Sequence, residues 1–452
     1  MNTNDRNPNR RDFLKIGSAA VVAGAVAARA AGEASAEEQA AYSAQFAAPP
    51  METVRIGYVG VGLQGGSHVT NLNRIPGCRI TAVCDVRTER TNWAVAEVTK
   101  AGHPAPAVYN QGPRDFERLC ETEDLDLVYT ATPWEWHVPV MLAAMKNGKH
   151  AATEVPAAMT LDDCWAMVES AEKNRRHCVM MENCNYDWPA MMAFNMTRQG
   201  LFGELLHAEG GYLHDLRGIK FENRNEGLWR RAWSQRLNGN VYPTHGLGPV
   251  ANCLDINRGD RFDSLVSMSS PSRGLQDWAR DHFPEGAPQR QEKFAMGDIN
   301  TSLIKTALGK TIMVQHCTNL PRPYSRINLI QGTKGLFSGY PHRLYIEGRG
   351  RADQWVDAAT LRTEFEHPLW KEMAERSAGA GHGGMDYIED YRLIKCLREG
   401  LPMDMTVYDA AALSAIVDVS VRSVAKNGQP MAVPDFTRGR WRTTPPLGIV
   451  HA

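Results

Sequence analysis

Short apolar runs alternate with amphipathic stretches through the first half of the chain. Residues 53–60 (TVRIGYVG) are rich in β-branched side chains and read as a buried strand, followed by a helix to about residue 74. The strand pattern returns at 79–85, 125–132 and 149–154, and helices are expected at 133–148 and 161–174. Strands alternating with helices predict a parallel, doubly wound sheet. After Asn183 the rhythm changes. A helix over 189–200 precedes expected strands at 204–212, 262–268, 300–308, 311–317 and 326–331, with Gly309-Lys310 as a hairpin loop and 271–295 as a long surface loop. Helices at 387–399 and 410–425, rich in small apolar residues, are placed to pack back on either domain. The fold class is α/β, with a nucleotide domain over 53–183 and an α+β substrate domain over 184–452 built on a large, mostly antiparallel open sheet.

The first strand runs into GVGLQGG at 60–66, a G-x-G-x-x-G turn between strand and helix. This is the Rossmann phosphate-binding turn. Gly60 allows the tight turn, Gly62 lets backbone approach a pyrophosphate, and Gly65 permits close helix packing. The second strand ends in Asp85, where a carboxylate accepts hydrogen bonds from an adenosine ribose and repels a 2′-phosphate, which favours NAD. Ligands of such sheets lie at the carboxyl ends of the strands, which nominates Thr132 to His137 and Thr153 to Pro156.

The first residues need separate treatment. Arg10-Arg11 followed by Phe13-Leu14-Lys15, an uncharged Ala- and Gly-rich run over 16–28, and small-x-small sites ending at Ala30 and Ala36 have the order of a twin-arginine export signal. The expected division is therefore a signal over 1–36 and a linker over 37–52, giving a periplasmic or otherwise exported protein handled by the twin-arginine machinery, with no membrane anchor. The chain has 452 residues, with 50 Lys+Arg against 51 Asp+Glu. Loss of the signal removes five basic residues (Arg6, Arg10, Arg11, Lys15, Arg29) and three acidic ones (Asp5, Asp12, Glu33), leaving a slightly acidic chain without the basic surface a nucleic-acid partner needs. Nine cysteines are scattered with no C-x-x-C pair, so no metal site is expected.

GVG at 60–62 with AVCD at 82–85, LVYTATP at 127–133 followed by His137, and GKHAATEVP at 148–156 resemble the Gfo/Idh/MocA oxidoreductases. Most of that family has Glu-Lys-Pro where this chain has Glu154-Val155-Pro156. An apolar Val155 cannot polarise a hydroxyl, which speaks against an ordinary polyol dehydrogenase. EVPAA at 154–158, LWR at 228–230, GNVYPTHGLGP at 239–249 and GHGGMD at 381–386 resemble glycoside hydrolase family 109, NAD-dependent glycosidases typified by α-N-acetylgalactosaminidase. The resemblance implies NAD contacts at Leu63, Gln64, Asp85, Trp134, Glu135, Trp136, His137, Glu154, Val155 and Asn183. It implies substrate contacts at Tyr212, Arg230, Tyr242, Pro243, Thr244, His245 and Tyr324, with Arg231 adjacent to Arg230.

Tyr242 and His245 lie three apart, with Pro243 favouring a turn that enters a helix near His245. A phenol and an imidazole together can trade a proton with a sugar hydroxyl, which nominates the two as catalytic. The expected chemistry is oxidation of the sugar at C3 by bound NAD, removal of the C2 proton, elimination of the C1 oxygen, water addition and re-reduction, so NAD is recycled. Two other functions compete: an exported sugar oxidoreductase using NAD(P), and a non-catalytic sugar-binding protein. An exposed sheet face makes a homo-oligomer an expectation as well.

Overall fold

The computed structural model describes residues 44–452. The expected signal over 1–36 and the start of the linker lie outside the described residues. Six strands, β1 (Val54–Val59), β2 (Cys78–Cys84), β3 (Ala107–Tyr109), β4 (Leu127–Thr130), β5 (His150–Thr153) and β6 (Cys178–Met180), form one parallel sheet in the order β3-β2-β1-β4-β5-β6. Every residue of β4, β5 and β6 is buried, as a sheet covered on both faces requires. The order reverses between β1 and β4, and a crevice opens at that switch point beyond the strand ends. β3, β6 and the helices Thr88–Lys100 and Asp115–Thr122 are additional to the elements read from the sequence.

The second sheet has nine strands: β7 (Leu205–Leu213), β8 (Phe262–Ser269), β9 (Asn300–Thr306), β10 (Thr311–Cys317), β11 (Leu329–Gly332), β12 (Gly335–Ser338), β13 (Arg343–Ile346), β14 (Val356–Asp357) and β15 (Met431–Ala432). Their order is β14-β13-β12-β11-β7-β10-β9-β8-β15, antiparallel throughout except where β10 runs parallel to β7.

Three local expectations are corrected. The β9–β10 connection is longer than Gly309-Lys310: it takes in Ala307 and Leu308, with Asp260 Oδ1 accepting from Leu308 N–H at 3.1 Å and Oδ2 from the Thr306 hydroxyl at 2.8 Å. Residues 271–295 are not a plain loop, because Leu275, Trp278 and Ala279 have helical spacing and fold as the helix Gly274–His282 against Phe221 and Phe294. The flanking Pro, Gly and charge hide that short apolar face. The strand expected at 326 begins at Leu329, since Ile327 and Asn328 adopt positive φ.

The last helices return to the parallel sheet and bridge to the second one. Met385–Glu399 sets Ile388, Leu393, Ile394 and Leu397 among Val54, Ile56, Val69 and Leu72. Val407–Ala425 starts from a capping box between Thr406 and Asp409 and packs its alanines between the helix Leu161–Asn174 and β8. Residues 44–52 are seated too: Ala44 and Ala48 are buried, and Ala48 N–H donates to His177 Nε2 at 3.2 Å. Among the described residues no helix is long and apolar enough to cross a membrane.

Candidate active site

A cavity of about 540 Å³ lies beyond the carboxyl ends of the parallel strands, between them and β7 with its neighbouring helices. Its nucleotide wall is the glycine turn. Gly60 has φ +84°, and a Cβ there would meet Thr132 N at 2.8 Å; at Gly65 a Cβ would lie 2.0 Å from Gly60 O. At Gly62 the sole neighbour within 4 Å of an added Cβ is the Arg87 guanidinium at 3.7 Å. Protein packing therefore does not demand a glycine at 62, whereas close approach of a pyrophosphate to the backbone does. Asp85 accepts from Val61 N–H at 2.8 Å and Arg87 N–H at 2.9 Å, bracing the turn from the end of β2. The turn, Asp85 and the amino end of the helix Leu63–Leu72 fit a dinucleotide.

The opposite wall is aromatic. Tyr212 from the end of β7 has its ring 4.6 Å from Tyr242 and 5.4 Å from His245, and Tyr242 and His245 are 4.9 Å apart edge to face. Trp134, on the first turn after β4, lies 5.6 Å from Tyr242 and 4.8 Å from Trp229. The Arg230 guanidinium is about 5 Å from the Trp134, Trp229 and Tyr242 rings, and its Nη2 donates to Glu226 Oε1 at 3.0 Å. Burial pushes the Tyr212 hydroxyl up to about 12 and the Tyr242 hydroxyl well above the ordinary tyrosine value, so both phenols stay protonated.

His245 is the second residue of the helix Thr244–Cys253, which starts just after Pro243. Its Nδ1 sits 2.7 Å from Glu182 Oε1, which also accepts from Cys184 N–H at 3.2 Å. Burial alone would raise the Glu182 carboxyl, but the charge and hydrogen bond of His245 outweigh it and hold it below its ordinary value. Glu182 is fully enclosed, and Gly248 on the same helix makes room for it: a Cβ there would meet Glu182 Cγ at 2.7 Å.

A third group comes from the Met385–Glu399 helix. Asp386, wholly buried, accepts from Asn183 Nδ2 at 2.7 Å and lies 2.8 Å from His382 Nδ1. Burial would raise Asp386, yet the pairing with His382 pulls it down to about 2. His68 is enclosed between Asp390 at 2.9 Å and Glu154 at 2.8 Å; burial would lower its pKa, but these carboxylates raise it.

Of the residues singled out from the sequence, the cavity is lined by Gly60, Gly62, Leu63, Gln64, Asp85, Trp134, Trp136, His137, Glu154, Val155, Asn183, Tyr212, Arg230, Tyr242 and His245. Gly65 stands behind the turn, Glu135 points outward on its helix, and Pro243 and Thr244 set up the helix that carries His245. Tyr324 lies at the edge of the aromatic group, 6.2 Å from Tyr212 and 5.0 Å from His214. Arg231 turns away, its Nε 3.2 Å from Glu292. His137 is buried, bridging Thr132 O at 2.9 Å and Pro156 O at 2.8 Å, and so ties together two strand ends.

Sequence reasoning missed His214, whose Nδ1 is 3.2 Å from the Tyr212 hydroxyl, along with Glu182, Glu226, Trp229 and His382. Glu226 was within reach, since an acid four residues before Arg230 is a helical ion-pair spacing. Glu182, Cys184 and His245 also bring three potential metal-ligand atoms within 4.8 Å of one another, a grouping the scattered cysteines gave no sign of. Burial drives the Cys184 thiol well above its ordinary value, and its sulfur donates to Asn183 Oδ1 at 3.4 Å.

Comparison with known proteins identifies both walls. Residues 54–182 match the oxidoreductase family with an NAD-binding Rossmann fold, and residues 186–443 match the glycosyl hydrolase 109 C-terminal domain. The chain belongs to glycosyl hydrolase family 109. Family 109 relatives include a glycosyl hydrolase family 109 protein of Saccharopolyspora erythraea, 49% identical over 87% of this chain and 86% of the relative. The α-N-acetylgalactosaminidase of Shewanella oneidensis is 44% identical over 99% of this chain and all of the relative. Among solved structures, levoglucosan dehydrogenase in complex with NADH and L-sorbose has a TM-score of 0.63 at 21% identity, covering 85% of this chain and 100% of that one. Scyllo-inositol dehydrogenase from Lactobacillus casei with bound NAD(H) and scyllo-inositol scores 0.59 at 15% identity, covering 84% and 99%. The family 109 chain is thus a glycosidase with an NAD-binding Rossmann domain of the oxidoreductase family over residues 54–182.

Proposed function

We propose that this enzyme removes terminal N-acetylgalactosamine-type sugars from glycosides by a redox-neutral route that starts and ends with oxidised NAD. The observation that carries it is the placement of Tyr242 and His245, the latter backed by enclosed Glu182, in the same cavity as the glycine turn, with buried Val155 where a dehydrogenase would place lysine. The glycine turn, Asp85 and Asn183 would hold NAD, which when bound would supply transient oxidation at sugar C3, the chemistry that acidifies the C2 proton and opens elimination of the C1 oxygen ahead of water addition and re-reduction.

The protein's own part is binding and proton transfer. Glu182 accepts from His245 Nδ1, which fixes the tautomer and leaves Nε2 to take up a proton. Tyr242, kept protonated by burial, exchanges its hydroxyl proton with the sugar or with His245. Trp134 and Tyr212 offer apolar ring faces to the sugar, and Arg230, held by Glu226, offers donors to a hydroxyl or acetamido oxygen. The twin-arginine pair at Arg10-Arg11 supports export of the folded enzyme, with its cofactor already bound, to the periplasm or beyond.

The test is incubation of purified enzyme with an aryl α-N-acetylgalactosaminide in D₂O without added cofactor. Release of the aryl alcohol with deuterium at C2 of the freed sugar is the expected result. Aryl release with no deuterium sinks the elimination route. Net NADH formation from free sugars, with no aryl release, makes the enzyme a dehydrogenase instead. His245→Ala should retain NAD and lose turnover by about 10²-fold or more; wild-type turnover removes His245 from the mechanism.

A further inference from the structure

Two carboxylates on the Met385–Glu399 helix, neither lining the cavity, secure four residues that do. Asp386 engages Asn183, His382 and, at 3.3 Å, Gln64 Nε2. One turn later Asp390 holds His68, which in turn holds Glu154. The i, i+4 spacing puts both carboxylates on one helix face, and both are fully buried. Gln64, Glu154, Asn183 and His382 all line the cavity that receives the glycine turn.

The approach to that helix is strained. His382 has φ 48°, followed by Gly383 at 73° and Gly384 at 105°. A histidine in the left-handed region is uncommon and persists where its surroundings over-determine it. The surroundings here are tight: a Cβ on Gly381 would meet Asp386 Oδ2 at 2.7 Å and Ser67 Oγ at 2.8 Å. The segment is therefore squeezed between the helix that follows the phosphate turn and the carboxylate that grips the His382 ring. His382 itself stays half-exposed at the cavity.

We propose that His382 is a further NAD-contacting residue, and that Asp386 is the positioning residue that clasps it, together with Gln64 and Asn183, over the bound cofactor. The residues 381–384 then close one side of the cavity and slow the exchange of NAD with solvent. The inference rests on the NAD site alone, so it stands or falls independently of the glycosidase chemistry.

The experiment is release of NAD from the purified holoenzyme, followed by chase with excess etheno-NAD, in wild type, His382→Ala, His382→Gln and Asp386→Asn. Folding is checked by circular dichroism. The expected result is release at least about tenfold faster in His382→Ala and Asp386→Asn, with His382→Gln partly restored because its amide can still reach Asp386. Wild-type release from a folded His382→Ala overturns the proposal, even if Asp386→Asn is fast. Equal acceleration in His382→Ala and His382→Gln also overturns the clasp, since the Asp386 contact would then contribute nothing.

Discussion

The two walls of the cavity are built by different rules. On the nucleotide wall the work is done by backbone: a left-handed glycine, an open glycine and braced N–H groups, all within residues 60–87. The aromatic wall is made of side chains gathered from β4's end, β7 and two helices, with residues more than a hundred positions apart in ring contact. A backbone site constrains what each position cannot carry, and such prohibitions are local. A side-chain site constrains what must meet, and that is decided only by the whole fold.

The sharpest way to break this contrast is at the turn itself. Gly65→Ala puts a methyl 2.0 Å from Gly60 O, so it should destabilise the protein by about 1–3 kcal/mol and abolish NAD retention, read as melting temperature and cofactor content. Gly62→Ala has space within the protein and should melt like wild type without NAD while binding NAD at least tenfold more weakly; an equal loss of stability in both would show that the open face of Gly62 is not reserved for ligand. On the aromatic wall, Arg230→Met should lower kcat/KM by about tenfold or more, roughly 1.4 kcal/mol of lost stabilisation, whereas Arg231→Met, paired outward with Glu292, should stay within about twofold.

A pH-dependent effect lies behind that wall. Lys220 is buried, donates to Thr318 Oγ1 at 2.8 Å and Asn319 Oδ1 at 2.7 Å, and burial lowers its pKa to about 7. Above that value the folded state is neutral here while the unfolded chain still binds a proton, up to about 10.4. The Lys220 contribution to stability should therefore rise from pH 7 towards 10, and Lys220→Met should remove that slope. Parallel melting curves for the two proteins across this range would contradict the low value.

How much was legible follows the same division. The parallel sheet, the glycine turn and Asp85 could be read because strand–helix rhythm and glycine spacing are local signals. Tyr242 and His245 could be placed together because Pro243 and the helix after it are local as well. His214, Glu182 and Trp229 could not, since each acquires meaning only by meeting Tyr212, His245 or Trp134 across the fold. The helix at Gly274–His282 was hidden because composition spoke for the segment and its short apolar face did not.

Trp134 stands where the walls meet, within 6 Å of both Trp229 and Trp233. Indole emission responds to neighbouring rings and to what replaces water beside them, so this cluster is a fluorescent gauge belonging to the protein itself. If the proposed function holds, cofactor loading and sugar arrival should each change that emission, and each can be followed in time without any added label.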